Sequence, residues 1–245
     1  MLDQGARIAA GAAFSIADVA IIIPALDEEA SVAGVVREMV ASGLAGGVIV
    51  VDNGSRDATA SRARDAGAIV APEPRRGYGA ACLAGIAALP QSCRVVVFVD
   101  ADGSDDPDDL AMILAPIMAG EADLVIGSRV LGRIEPGAMT WPQRFGNWLA
   151  PALIRLLWGG RFTDLGPFRA IRRDALHRLD MQDRDFGWTV EMQVRAAKLG
   201  LRCVERPVRY RRRIMGVSKI SGNLRGVLRA GGKILYIIAR EAWRR

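Results

Sequence analysis

Short runs of Val and Ile recur through the first half of the chain: VAIIIP (19–24), GVIVVD (47–52), AIVAP (68–72), RVVVFVD (94–100) and ADLVIGS (122–128). Their apolar character is continuous rather than alternating, which predicts strands covered on both faces. Between them lie EEASVAGVVREMVAS, RDATASRARDAG, GYGAACLAGIAAL and DPDDLAMILAPIM, each with helical spacing. Strand and helix in alternation predict right-handed crossovers and a mostly parallel sheet. The expected class is therefore α/β, Rossmann-like, with helices on both faces of the sheet.

Beyond residue 139 the pattern changes. TWPQRFGNWLAPALIRLLWGG sets Trp141, Phe145, Trp148, Leu149, Ala152, Leu153, Leu156 and Leu157 on one helical face, with Arg144, Asn147, Pro151 and Arg155 opposite. An apolar stripe of this kind packs on a core or lies in a membrane interface, where Trp beside Arg is at home. Strand candidates at GPFRAIRR and RCVERPVRY flank a helix at TVEMQVRAAKLG. The closing segment sets Leu224, Val227, Leu228, Ile234, Leu235 and Ile238 against Arg225, Arg229, Lys233 and Arg240, a basic amphipathic helix.

Composition narrows the setting. The 245 residues are 51% hydrophobic, enough for a sizeable core. A net charge of +6 and a pI near 9.8 favour anionic partners without choosing among them. Cys82, Cys93 and Cys203 have no CxxC spacing, so neither a disulfide framework nor a zinc site is expected. No uncharged apolar run reaches the roughly 18 residues of a membrane span. The N-terminal alanine-rich run is too weakly apolar for a cleaved signal. The expectation is a protein soluble in the cytoplasm or peripherally attached to a membrane.

The stretch VVVFVDADGSDDPDDL concentrates carboxylates where a strand gives out. Asp106 precedes Pro107 as an N-cap precedes a first-turn proline, and Asp108 and Asp109 then complement the helix dipole. Asp105 reads as part of the same turn, and Asp57 as a second N-cap. Asp100 and Asp102 have no such explanation. If the strand persists to Asp102, both carboxylates share one face at the carboxyl end of a parallel sheet, where ligands bind. Hard oxygen ligands suit Mg²⁺ or Mn²⁺; a solvated turn is the alternative. PALDEE (24–29) and VDNGSRD (51–57) end two further strands at that edge, though each alone could be a helix opening or a turn.

Taken in order, PALDEEASV, VDNGSRDAT, RRGYGAA, DADGSDDP, VIGSRVLG, TDLGPFRAIRR and RRRIMGVSKISG resemble the family-2 glycosyltransferases of GT-A fold. The likeness is strongest to the dolichol-phosphate or polyprenyl-phosphate sugar transferase branch, and it spans roughly residues 19–222. It implies a GT-A domain over 1–222, with a nucleotide-binding half at 19–128 and an acceptor-binding half at 129–222, followed by the basic helix of 223–245. Pro24, Ala25, Glu28, Asp52 and Ser55 would hold base and ribose, and Asp100 and Asp102 the ribose, metal and diphosphate. Arg129, Arg213, Ser218 and Lys219 would meet phosphate. Asp164 and Glu191 would orient the acceptor or accept a proton, although Glu191 also reads as a helix-start residue. Asp27 stands where the family usually has asparagine, and Ser104 where some relatives have a glutamine near the metal.

The implied activity is inverting, metal-dependent transfer of a hexose from a GDP-mannose or UDP-glucose type donor to a polyprenyl phosphate. It would occur with peripheral contact at the cytoplasmic membrane face. A soluble or lipid hydroxyl acceptor is the alternative and needs a working base. His177 reads as an ordinary helix-surface residue. A non-catalytic nucleotide- or nucleic-acid-binding module is more remote: RPVRYRRR lacks interleaved aromatics beyond Tyr210, so no nucleic-acid partner is expected.

Overall fold

The computed structural model describes residues 14–214 and 224–244. Seven strands form one sheet: β1 (Val19–Ala25), β2 (Gly47–Asp52), β3 (Ile69–Pro72), β4 (Val95–Phe98), β5 (Leu124–Ile134), β6 (Arg169–Arg172) and β7 (Cys203–Tyr210). Their order is β3-β2-β1-β4-β6-β5-β7. The pairs β1·β2, β1·β4, β2·β3 and β5·β7 are parallel, and β6 alone runs against its neighbours β4 and β5. The mostly parallel, doubly covered sheet expected from the apolar runs is what forms.

The continuous apolar character of the strands is satisfied from both sides. On one face α1 (Val32–Ala41), α2 (Thr59–Asp65) and α4 (Leu110–Met118) bury Val36, Met39, Ala63, Ile113 and Ile117 against Ile21, Ile23, Val50 and Val97. On the other, α3 (Tyr78–Ala87), α5 (Trp141–Trp158), α6 (Arg173–Leu179), α7 (Trp188–Lys198) and α8 (Leu224–Trp243) enclose a second core around Ile22, Phe98, Ile126 and Trp188. Trp188 meets Phe98 edge-on, ring centroids 6.0 Å apart. Full burial of side chains this large is worth about 1.5–3 kcal/mol each, so the two cores hold the sheet rigid beneath its loops.

Three local expectations are corrected. The strand carrying Asp100 ends at Phe98, and the chain then turns through Gly103 (φ 76°), so Asp100 and Asp102 lie in a loop rather than on one strand face. The N-cap of α2 is Ala58, although the Asp57 carboxylate still accepts from Thr59 N at 3.0 Å. The third concerns α5. Its inward stripe is Asn147, Ala150, Pro151 and Ile154, whereas Trp141, Phe145, Trp148 and Leu156 are exposed. Small Ala150 and Pro151 let the helix approach the core closely, which a row of indoles would prevent. The helix is anchored by a Thr140–Gln143 capping box and ends at Gly159 (φ 71°). On α8, Ile237 and Ile238 are buried and Leu235 is exposed.

Candidate functional site

A pocket of about 470 Å³ opens at the carboxyl ends of β1, β2 and β4. Pro24, Ala25 and Glu28 line it beyond β1, Asn53 beyond β2, and Asp100 and Asp102 beyond β4. Gly77 and Tyr78 at the start of α3, Asp185 and Phe186 ahead of α7, and Arg213 complete the wall. A larger groove of about 930 Å³ lies under α5, lined mainly by apolar side chains including Val130, Ile134, Trp148 and Phe162. The groove has the greater volume, but the charged chemistry converges in the smaller pocket.

Carboxylates dominate that pocket's floor. The Tyr78 hydroxyl donates to Asp100 Oδ1 at 3.2 Å, and Asp100 N donates to Asp105 Oδ2 at 3.1 Å. Burial, reinforced by the Asp102 charge, pushes Asp100 up to about 7. Burial and the Asp100 charge likewise raise Asp105 well above the carboxylate range. Asp105 is therefore not surface turn chemistry as its sequence suggests. It is buried, bridges to Tyr210 of β7, and belongs to the acidic cluster. Asp106, Asp108 and Asp109 keep the predicted role: Asp106 caps the short 3₁₀ turn Pro107–Asp109 that leads into α4. Asp106 and Asp109 also pair with Arg209.

Positive charge reaches the cluster from the end of β7. Arg213 Nη2 lies 2.7 Å from Asp102 Oδ2, and Nη1 lies 3.0 Å from Glu28 Oε1. The segment is strapped down by Ile214 N to Asp102 O at 3.1 Å and Arg211 N to Ser104 O at 2.8 Å. Two pocket acids thus share one guanidinium.

The donor set fits a hard divalent cation. Asp100 and Asp102 offer carboxylate oxygens, and beside Asp102 Ser104 Oγ is buried without a hydrogen-bond partner among the described residues. Among the described residues no group of three or more His, Cys, Asp or Glu could hold a metal by itself. Mg²⁺ and Mn²⁺ keep waters and take phosphate oxygens from a ligand, so two carboxylates can be enough protein ligands for either.

The remaining sequence candidates fall into four groups. Asp52 and Ser55 stand next to the pocket: Asp52 Oδ1 accepts from Ser55 N at 3.0 Å, and Ser55 Oγ accepts from Asp27 N at 3.0 Å. Asp27 adopts a left-handed φ of 49°, which Asn and Asp tolerate better than most residues. Arg129 and Asp164 form a buried fork, with Asp164 Oδ2 accepting from Arg129 Nε and Oδ1 from Nη2, both at 2.7 Å. Burial works against the Arg129 charge, but Asp164 outweighs it and raises the guanidinium above its ordinary value. Arg129 also stacks on Tyr210 at 4.9 Å. Glu191 is fully buried: Oε2 accepts from Gln182 N and Asp183 N, while Oε1 meets Arg240 at 2.5 Å and Arg195 at 3.2 Å. The structure thus brings Glu28, Asp100, Asp102 and Arg213 together and does not bring Asp164 or Glu191 to the same wall. Ser218 and Lys219 lie outside the described residues. His177 is exposed on α6.

The sequence places Asn53 only within the VDNGSRD strand-end turn, and it misses other wall residues. Asn53 is buried and staples the loop before α3, donating to Glu73 O and Arg75 O and accepting from Gly77 N. Tyr78 lay within a recognised motif, but nothing singled out its hydroxyl. Asp185 and Phe186 come from a loop with no sequence signature.

Residues 20–180 match the family described as Glycosyl transferase family 2. The chain belongs to that family. It is similar to an uncharacterized glycosyltransferase of Mycobacterium bovis, 41% identical over 85% of this chain and 92% of the relative. It is also similar to the undecaprenyl-phosphate mannosyltransferase of Micrococcus luteus, 35% identical over 73% of this chain and 77% of that protein. Among solved structures, glucosyl-3-phosphoglycerate synthase from Mycobacterium tuberculosis, in complex with Mn²⁺, uridine diphosphate and phosphoglyceric acid, has the same fold. Its TM-score is 0.73 at 23% identity, covering 93% of this chain and 79% of that one. The GT-A architecture and the glycosyltransferase class expected from the ordered motifs both stand.

Proposed function

We propose that this glycosyltransferase moves a hexose from a nucleoside-diphosphate sugar to a polyprenyl phosphate at a membrane surface, with a divalent cation at Asp100 and Asp102. The observation that carries the reading is the convergence of Glu28, Asp100, Asp102 and Arg213 in one pocket at the strand ends. The pocket's volume of about 470 Å³ falls within the range of small-ligand sites. Pro24, Ala25 and Glu28, with Asp52 and Ser55 behind them, would take base and ribose. The resemblance to mannosyl- and other polyprenyl-phosphate sugar transferases supports a lipid-phosphate acceptor and an inverting outcome.

When bound, Mg²⁺ or Mn²⁺ would neutralise the diphosphate charge that grows as the sugar departs. The chain's own arginines do the rest. Arg213, with Ser218 and Lys219 beyond it, can leave its carboxylate partners for phosphate oxygens, which a guanidinium binds bidentately. Arg129, fixed in orientation by Asp164, offers a second cation. A lipid phosphate is already anionic, so the acceptor needs no strong base, and the absorption of Asp164 and Glu191 into ion pairs costs this chemistry nothing.

Membrane contact at the cytoplasmic face belongs to the same reading. Among the described residues no helix is long and apolar enough to cross a bilayer. The outward stripe of Trp141, Phe145, Trp148 and Leu156, flanked by the exposed Arg144 and Arg155, has the character of an interfacial helix. Transfer of radiolabelled sugar from GDP-mannose, UDP-glucose and related donors to polyprenyl phosphate, with Mn²⁺ supplied, tests the whole proposal. Product with one of these donors is expected; no lipid-linked product from any of them overturns it. A hydroxyl-bearing lipid, used as a parallel acceptor, should remain unglycosylated.

A further inference from the structure

One part of the pocket wall comes from outside the sheet. It is the loop 182–187, which carries Asp185 and Phe186 into the pocket. Gly79 N donates to Asp185 O at 3.3 Å and Ala80 N to Arg184 O at 3.0 Å, so the loop lies directly on the first turn of α3. The approach is so close that a Cβ on Gly77 would strike Arg184 O, and one on Gly79 would strike Asp183 O. Any displacement of the loop is therefore felt at Gly77 and Tyr78, which line the same pocket.

Asp183 organises this loop. Its Oδ1 accepts from Asp185 N at 2.9 Å and Gly187 N at 3.0 Å. Its backbone N–H, with that of Gln182, is held by Glu191 Oε2 at 2.7 and 3.0 Å. The second Asp183 oxygen, Oδ2, reaches 2.7 Å to Lys233 Nζ on α8. Asp183 is 3% exposed, so this carboxylate charge is buried and Lys233 is its cationic partner. Lys233, Ile237 and Arg240 stand at i, i+4 and i+7 and form one stripe of α8. Lys233 takes Asp183, Ile237 is buried against Gly187, and Arg240 takes Glu191. One face of the terminal helix is thus fitted to the loop that forms the pocket wall.

We propose that Lys233 is a positioning residue for the donor: through Asp183 it fixes loop 182–187, so the seating of α8 sets nucleotide affinity. This rests on the reading of the pocket as the nucleotide-sugar site. Lys233 touches no substrate in this account; it acts through Asp183, and its loss should raise the donor KM while leaving kcat and the acceptor KM in place.

The test is calorimetric titration of UDP and GDP, with Mn²⁺, into the wild-type full chain and the Lys233→Ala, Lys233→Arg, Asp183→Asn and Lys233→Ala/Asp183→Asn variants. Steady-state donor and acceptor KM are measured alongside. Lys233→Ala should weaken the nucleotide that binds by about five-fold, the size of a coupled neighbour interaction. Lys233→Arg should restore most of that loss, and the double variant should be no weaker than Asp183→Asn alone. Unchanged nucleotide affinity in Lys233→Ala, or equal loss toward donor and acceptor, overturns the proposal. If neither nucleotide binds the wild type, the donor-site reading fails and takes this inference with it; nucleotide binding without lipid-linked product would instead remove the acceptor assignment and leave the Lys233 result standing.

Discussion

Arg213 Nη2 sits 2.7 Å from Asp102 Oδ2, placing a fixed positive charge on a carboxylate that we propose as a ligand of a divalent cation. On that proposal the guanidinium and the metal would compete for Asp102 until a diphosphate arrived to hold both. Arg213→Ala should consequently act in two directions. In the absence of nucleotide it should tighten Mn²⁺ binding, followed by the paramagnetic signal of the free ion. In turnover it should lower kcat/KM by about 10²–10³, the typical cost of one preorganised donor to developing charge. Arg213→Lys keeps the charge but loses the fork, so it should recover only part of the activity.

The Arg129–Asp164 fork makes a different prediction, because it is buried on both sides, at 8% and 0% side-chain exposure. Asp164→Asn leaves a guanidinium without its counter-charge, a loss of about 3–5 kcal/mol. In a chain of this size the melting temperature should fall by on the order of 10 °C. The double variant Arg129→Met/Asp164→Leu should regain much of that stability, since an apolar pair can replace a buried ion pair, yet remain inactive. Recovery of activity with stability would mean that Arg129 has no role in transfer.

Much of this architecture was written in local pattern. The Val and Ile runs from Val19 to Ser128 are long, continuous and separated by well-punctuated helices, so strand identity and parallel pairing follow from sequence. Asp100, Asp102, Glu28 and Arg213 were legible because they stand at strand ends or in ordered motifs. Long-range packing was not legible. Asp105 looks like one more turn aspartate until β7 folds across it and buries it. Glu191 reads in sequence as an acceptor-orienting residue, a proton acceptor or a helix-start residue, and its burial in ion pairs is not visible there because its partners Arg240 and Gln182 lie 49 and 9 residues away. The faces of α5 were assigned by hydrophobicity, yet close approach to the core selected small Ala150 and Pro151 and left Trp141 and Trp148 facing outward.

That inversion of α5 yields a test of membrane contact that leaves folding aside. Trp148 and Leu156 are 65% and 79% exposed, so replacing either by glutamate should change the melting temperature little. On vesicles containing anionic lipid, Trp148→Glu/Leu156→Glu should sediment far less than wild type. Raising salt should weaken the wild-type interaction, because attraction of Arg144 and Arg155 to the surface is screened over about a nanometre. Equal sedimentation of variant and wild type would assign the stripe to some other contact.

Asp100 supplies the pH dependence. Burial and the neighbouring Asp102 charge raise it to about 7 from an ordinary carboxylate value near 3.8. Between those two values the folded chain holds a proton that the unfolded chain has released, so this group makes stability fall as pH rises through the window. A divalent cation requires the ionised carboxylate. Mn²⁺ should therefore bind with release of a proton below about pH 7, and its apparent affinity should climb with pH and then level off. Titrations in buffers of different ionisation heat, at pH 6 and pH 8, measure that proton directly. Thermal melts without metal should show stability declining between about pH 4 and pH 7, a decline that Asp100→Asn reduces while it abolishes Mn²⁺ binding, with Asp105, also raised by burial, supplying the remainder. A proton count that does not change between pH 6 and pH 8 would place the metal away from Asp100.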